Sequence, residues 1–207
     1  MENKGKFIVF EGIDGSGKSS QMRMLGAYLE ERGVACHLTC EPTSSLFGKL
    51  LRSCLTGELD TDEQTIAAMF AADRLNHIHE KETGILSRLA AGESVLCDRF
   101  YFSSLAYNGG MVEAEWVKQL NTPAMKACEP DLVVFIDISP EDAMKRVLKR
   151  GEAERYESVE KLTKIREMYF KAFELLPKEK LAVIKSEQEK AVTQQNIRNA
   201  VDRVYGF

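Results

Sequence analysis

Ten consecutive residues constrain this chain more than any others: Glu11-Gly12-Ile13-Asp14-Gly15-Ser16-Gly17-Lys18-Ser19-Ser20. They follow directly on the apolar run Phe7-Ile8-Val9-Phe10. Gly12 to Ser19 fits G-x-x-x-x-G-K-[ST], a phosphate-binding loop set between a buried strand and a helix. The glycines let the backbone bend until successive N–H groups point at one phosphate. The loop Gly12, Ile13, Asp14, Gly15, Ser16, Gly17, Lys18 and Ser19 would therefore hold nucleotide phosphates. Lys18 would reach the β- and γ-phosphates, and the Ser19 hydroxyl would ligate Mg²⁺. A helix over 18–32, with Met22, Leu25 and Leu29 on its apolar side, would aim its positive N-terminal end at the same anion.

The rest of the chain alternates short apolar runs with helical patterns. Strands are expected at 6–10, 34–39, 94–97, 131–137 and 181–185. Helices are expected at 18–32, 45–55, 62–91 with a break near Thr83-Gly84, 113–127, 140–149, 158–176 and 189–204. Continuous Val/Ile/Leu/Phe runs with helices between them indicate an α/β fold, a parallel sheet covered by helices on both faces. Ligands of such sheets sit beyond the C-terminal ends of the strands. That places Glu11, Glu41, Asp98 and Asp137 along one edge, beside the glycine-rich loop.

Composition narrows the class. The 207 residues suit a single domain, and 44% hydrophobic content is enough for a full core. A net charge of −4, with both signs mixed along the chain, gives no basic surface for nucleic acid or an anionic membrane. No apolar run approaches the roughly 18 residues needed to span a bilayer. The segment Met1-Glu2-Asn3-Lys4-Gly5-Lys6 lacks an apolar signal core. Five cysteines, an odd number without a CxxC pair, fit a reduced, cytoplasmic protein. His77 and His79 lie two apart in a helical run and so diverge; they are expected to be two solvated histidines, not zinc ligands.

Further segments narrow the reading to a family. Asp98-Arg99-Phe100 ends the run Ser94-Val95-Leu96-Cys97 and continues as Tyr101-Phe102-Ser103-Ser104-Leu105-Ala106-Tyr107-Asn108-Gly109. Upstream lie Glu41-Pro42-Thr43 and Phe70-Ala71-Ala72-Asp73-Arg74. Downstream, Arg146-Val147-Leu148-Lys149-Arg150-Gly151-Glu152-Ala153-Glu154-Arg155-Tyr156 interrupts two helices. In this order and at these spacings the chain resembles the thymidylate kinase family of nucleoside monophosphate kinases, from Phe7 to about Tyr205. The resemblance implies a P-loop NTPase-type sheet with a short mobile lid at about 146–157. It implies transfer of the γ-phosphoryl of Mg-ATP to dTMP, giving dTDP and ADP in dTTP biosynthesis, by a cytoplasmic homodimer.

The resemblance also assigns residues. Asp98 would act with Ser19 on Mg²⁺. Arg99 would bind the acceptor monophosphate, whose geometry suits a planar guanidinium, with Arg74 as a second arginine and Arg52 as a further one. Phe70, one helical turn from Arg74, would stack on the pyrimidine, with Ser104 and Asn108 lining the acceptor site. Asp14 would sit near the acceptor sugar and phosphate, and Glu41 would play a supporting polar part. One subtype of the family supplies the arginine that meets the transferring phosphoryl group from the P-loop; the other supplies it from the lid. The P-loop position is Gly15 here, and the lid carries Arg150 and Arg155, so the chain resembles the lid-arginine subtype. A cation arriving on lid closure would stabilise charge developing on the γ-phosphoryl oxygens.

The chain departs from the family pattern in places. Glu-Pro-Gly-Gly reads Glu41-Pro42-Thr43-Ser44, an arginine found near position 43 in some relatives is Thr43, and Asp-Arg-Tyr ends in Phe100. The Tyr-Gln pair that faces the base reads Tyr107-Asn108, one methylene shorter. These departures bear on thymine specificity and leave as an alternative a kinase acting on dUMP or a deoxynucleoside; because fold alone does not fix function, a non-catalytic ATP-dependent switch on the same fold is a second.

Overall fold

The computed structural model describes residues 4–150, 158–175, 177–186 and 189–207. The elements run β1 (Phe7–Glu11), α1 (Lys18–Glu30), β2 (Cys36–Cys40), α2 (Leu46–Leu55), α3 (Glu63–His79), α4 (Ile85–Ala90), β3 (Ser94–Asp98), α5 (Tyr101–Tyr107), α6 (Ala114–Ala127), β4 (Leu132–Asp137), α7 (Pro140–Arg150), α8 (Val159–Phe173), β5 (Leu181–Lys185) and α9 (Lys190–Tyr205). Short 3₁₀ turns sit at Asn108–Gly110 and Lys178–Lys180.

All the strands are parallel and lie in the order β2-β3-β1-β4-β5. β1 is in the middle, with Phe7 opposite Val95 and Ile8 opposite Leu132. Because side chains alternate along a strand, each central strand feeds two cores. Phe7, Val9, Val95, Cys97, Val133 and Phe135 face one core, which is completed by α3 to α8. Ile8, Phe10, Leu96, Val134 and Ile136 face the other, covered by α1 and α9. The alternating arrangement expected from the sequence is present, with strand ends shifted by one or two residues.

The break expected near Thr83-Gly84 is present: α3 stops at His79, and Glu80 accepts from the Glu82 backbone N–H at 3.0 Å and the Thr83 hydroxyl at 2.7 Å, forming the turn before α4. One feature differs from the sequence expectation: Tyr101–Tyr107, for which no helix was expected, is α5. Six of its seven residues are buried, so it carries no apolar stripe to mark it. At the starts of α2, α3 and α8 short polar side chains cap exposed N–H groups. Ser45 accepts from Gly48, Asp62 from Thr65 and Ser158 from Lys161. Among the described residues no helix is long and apolar enough to cross a membrane.

The turn after β2 is locked onto α3. Asp73, buried on α3, accepts from the Thr43 N–H at 2.7 Å, the Thr43 hydroxyl at 2.5 Å and the Ser45 hydroxyl at 2.9 Å. Next to it, Arg74 donates its Nε and Nη2 to Glu41 Oε2 at 2.8 and 2.7 Å, and its Nη1 to Ser104 and Asn121. This ion pair is 1–2% exposed, so neither charge has a water shell to fall back on. Arg74→Met should leave the Glu41 carboxylate with only His77 Nδ1, 3.1 Å from its Oε1, at a cost of about 3–5 kcal/mol. Thermal denaturation should show the midpoint falling by roughly 10 °C. A midpoint within about 2 °C of wild type would show that the pair does not hold the turn.

Candidate active site

The loop between β1 and α1 is shaped for an anion. Gly12, Gly15 and Gly17 have φ of 146°, 79° and 98°, which side-chain-bearing residues rarely adopt. No side chain caps α1 and its first turn has no acidic residue, so its N-terminal dipole faces the loop unopposed. Lys18 is buried and folds back over the loop, its Nζ donating to Gly12 O at 2.9 Å and Ile13 O at 3.2 Å. Burial, then the nearby Arg99, push its pKa down; Asp98, Asp14 and Glu11 oppose them. A Cβ on Gly15 would stand 2.4 Å from Ala143 O on α7. No side chain fits at this position without displacing α7.

Beside this loop, Ser19 Oγ donates to Asp98 Oδ2 at 2.6 Å, and Asp98 Oδ1 is buried with no partner. A hydroxyl paired with a carboxylate that has an unused oxygen is a donor set suited to a hard cation such as Mg²⁺. Buried polar atoms normally find partners, so those that do not are informative. Among the described residues there are four such side-chain atoms, and three belong to this region: Ser16 Oγ, Asp98 Oδ1 and Asn108 Oδ1.

Two cavities open at the C-terminal edge of the sheet. The polar one is walled by the P-loop, Lys18, Ser19, Cys40 and Asp98. The larger, more apolar one is walled by Phe70, Ser104, Tyr107, Asn108, Met111 and Leu162, among others. Asp14 and Arg99 line both. They join the cavities as an ion pair. The Tyr107 hydroxyl donates to Asp14 at 2.8 Å, and Arg99 Nη2 donates to that hydroxyl at 3.2 Å. Burial pushes the Asp14 carboxyl up, but Arg99, then Lys18 and Tyr107, outweigh it and hold its pKa down at about 2.

Arg99 owes its place to an unusual turn. It is the one non-glycine residue with positive φ, at 72°, among the described residues. Its N–H donates to Phe10 O at 2.9 Å, its carbonyl accepts from Cys97 Sγ at 3.0 Å, and the next N–H, of Phe100, donates to Glu11 Oε1 at 2.9 Å. Phe100 is fully buried, edge-on to Phe7 and against Tyr101, where a phenol hydroxyl would need a partner.

The other sequence-derived candidates are placed unevenly. Phe70, Ser104 and Asn108 reach the larger cavity. Arg74 does not: its guanidinium is enclosed behind Ser104, within 5.5 Å of the Phe100 ring centre. Arg52 is exposed on α2 and donates to the carbonyls of Thr43 and Pro42, the latter a wall residue of that cavity. Arg155 lies outside the described residues, and of Arg150 only the backbone, ending α7, is described. The sheet-edge carboxylates lie where expected, but Asp137 is held by Arg166 in a two-pronged pair at 2.6 and 2.8 Å. His77 corrects the expectation of two solvated histidines. It is 9% exposed, its Nδ1 lies 3.1 Å from Glu41 Oε1, and its Nε2 lies 2.9 Å from the Thr39 hydroxyl. Its helix face turns toward β2, which spacing within α3 could not reveal.

Three residues of the site received no role from the sequence, although Glu11 was placed at the sheet edge and Arg146 in the segment about 146–157. Arg146 donates to Ser186 Oγ at 3.0 Å and, at 3.4 Å, to the carbonyls of Gly15 and Ser16; its place one turn before Arg150 was a usable signal. Glu11 is a carboxylate closing an otherwise apolar strand. Tyr169, on α8, had no signal at all.

The comparisons with known proteins agree with this geometry. The thymidylate kinase family model matches residues 10–197. A probable thymidylate kinase of Pyrococcus horikoshii is 37% identical over 181 residues, covering 84% of this chain and 85% of the relative. One of Thermococcus kodakarensis is 38% identical, covering 84% and 87%. A thymidylate kinase of Pelotomaculum thermopropionicum is 41% identical over 152 residues, covering 72% and 69%. With a P-loop at one cavity, the Phe70 ring at the other and an Asp–Arg pair between them, the chain belongs to the thymidylate kinase family.

Proposed function

We propose that the chain transfers the γ-phosphoryl group of Mg-ATP to the 5′-phosphate of dTMP, giving dTDP and ADP, at the junction of the two cavities. The observation that carries this reading is the shared wall: Asp14 and Arg99 border both the P-loop cavity and the Phe70 cavity. Two phosphates held in adjoining cavities meet there, and phosphoryl transfer needs alignment and charge stabilisation with no covalent enzyme intermediate.

The residues divide the work. The P-loop N–H groups and Lys18 receive the donor phosphates; an arriving phosphate gives the buried ammonium the anion it lacks. Ser19 and Asp98 would hold Mg²⁺, which supplies charge neutralisation to the donor phosphates when bound. Arg99 takes the acceptor phosphate, and Asp14 keeps the guanidinium turned toward it. Phe70 stacks on the base, and Asn108 Oδ1, buried and without a partner, accepts a hydrogen bond at its edge. Arg74 acts from behind Ser104, and Arg52 from the rim. Arg150 and Arg155 serve the transferring group from the lid, about 146–157. Arg146 fits the same event, since it already touches two P-loop carbonyls. We also take the working form to be a cytoplasmic homodimer, a reading supported by family membership and by the exposed Leu46, Phe47 and Leu50 on α2.

ADP release with a panel of acceptor monophosphates tests the assignment. The expected order is dTMP, then dUMP, then purine nucleotides far behind. A methyl in an apolar pocket is worth about 1–3 kcal/mol, so dTMP over dUMP should be a preference and not an absolute choice. Asn108→Ala should lower kcat/KM for dTMP by about tenfold while leaving ATP affinity unchanged. Activity with dAMP or dGMP equal to that with dTMP would overturn the acceptor assignment. Lys18→Ala should abolish transfer while circular dichroism stays that of wild type; near-normal turnover in that variant would overturn the assignment of the P-loop to ATP.

A further inference from the structure

The reaction as assigned leaves one buried group at the site unused. Glu11 closes β1 with no exposed surface, yet no arginine or lysine pairs with it directly among the described residues. Instead it accepts four hydrogen bonds. Oε1 takes the backbone N–H groups of Phe100 at 2.9 Å and Ser103 at 3.3 Å. Oε2 takes the hydroxyls of Ser103 at 2.7 Å and Tyr169 at 2.9 Å. Those hydroxyls stand 2.8 Å apart, and Arg99 Nη1 donates to both, at 3.2 and 3.4 Å.

We propose that Glu11 is a positioning residue for the acceptor phosphate, acting through the Ser103 and Tyr169 hydroxyls on Arg99. The proposal rests on the reading of Arg99 as the acceptor-phosphate ligand. A carboxylate can only accept, so it draws both hydroxyl protons toward itself. The lone pairs of both hydroxyls are then left for Arg99 Nη1. The other end of the guanidinium, Nη2, is held by Asp14 and Tyr107. Two supports at two ends fix the plane of the guanidinium and so the direction from which it meets a phosphate. Because a hydroxyl stands between Glu11 and Arg99, the arginine is oriented without a second direct ion pair that an incoming phosphate would have to break.

Glu11→Gln separates this role from simple capping of α5. The amide oxygen can still accept from Phe100 and Ser103, so the turn keeps its cap. The amide nitrogen donates, which reverses the hydroxyls and turns their protons toward Arg99. Steady-state kinetics of the full chain should show the KM for dTMP rising about tenfold or more, with the KM for ATP within about twofold of wild type. Tyr169→Phe removes one of the two hydroxyls and should raise the same constant less. The double variant should be little worse than Glu11→Gln alone, since both act on one support. An unchanged KM for dTMP in Glu11→Gln would overturn the proposal. A rise in both KM values together with a lowered melting temperature would also overturn it, showing a cap and nothing more. If Glu11→Gln does not fold, Tyr169→Phe decides by the same two constants. If the wild type itself releases no ADP with dTMP, the acceptor assignment has failed, and the comparison is made with the acceptor it does use.

Discussion

The turn from β3 into α5 governs the site. A left-handed conformation at a residue with a side chain costs about 1–2 kcal/mol, and Arg99 adopts one at φ 72°. The cost is offset by hydrogen bonds from three directions: to Phe10 on the neighbouring strand, from Cys97 two residues back, and from Phe100 to the buried Glu11. Each of those partners is itself fixed by the centre of the sheet, because β1 and β3 are adjacent and buried throughout. The outcome is a guanidinium aimed at the boundary of the two cavities by the buried centre of the sheet.

Parallel topology then concentrates charge at one edge. Every strand ends on the same side, so the carboxylates that close β1, β3 and β4, and the one just after β2, are brought together without any sequence proximity. Left unbalanced they would repel a phosphate. The structure balances them by type: Glu41 with Arg74, Asp137 with Arg166, Asp14 with Arg99. Glu11 is met by hydroxyls and backbone N–H groups, and Asp98 by the Ser19 hydroxyl alone. Asp98 is thus the carboxylate with an oxygen to spare, and it stands next to the P-loop, where a divalent cation would serve the donor phosphates.

Much of this was legible in the sequence, for identifiable reasons. The P-loop, the order of strands and helices and the edge carboxylates follow from local pattern: glycine spacing, uninterrupted apolar runs, and polar residues at the ends of those runs. Phe70 and Asn108 could be placed at one cavity because motif order carries across a family. What escaped is long-range. α5 was missed because a helix buried on nearly every side has no stripe. His77 read as solvated because its partners, Thr39 and Glu41, lie on another element. The enclosure of Arg74 depends on Asn121, on α6, and the role of Glu11 depends on Tyr169, 158 residues away. None of these pairs leaves a local trace in one sequence.

The central claim is that Asp14 and Arg99 mark the point where donor and acceptor phosphates meet. A crystal structure of the chain with dTMP, Mg²⁺ and a non-hydrolysable ATP analogue tests it most directly. The account predicts the analogue's phosphates in the P-loop, the thymine ring on Phe70 within hydrogen-bonding distance of Asn108, and the dTMP phosphate on Arg99 facing the terminal phosphate of the analogue. A dTMP phosphate bound away from Arg99, or a nucleotide lying with its base toward the P-loop, would contradict it.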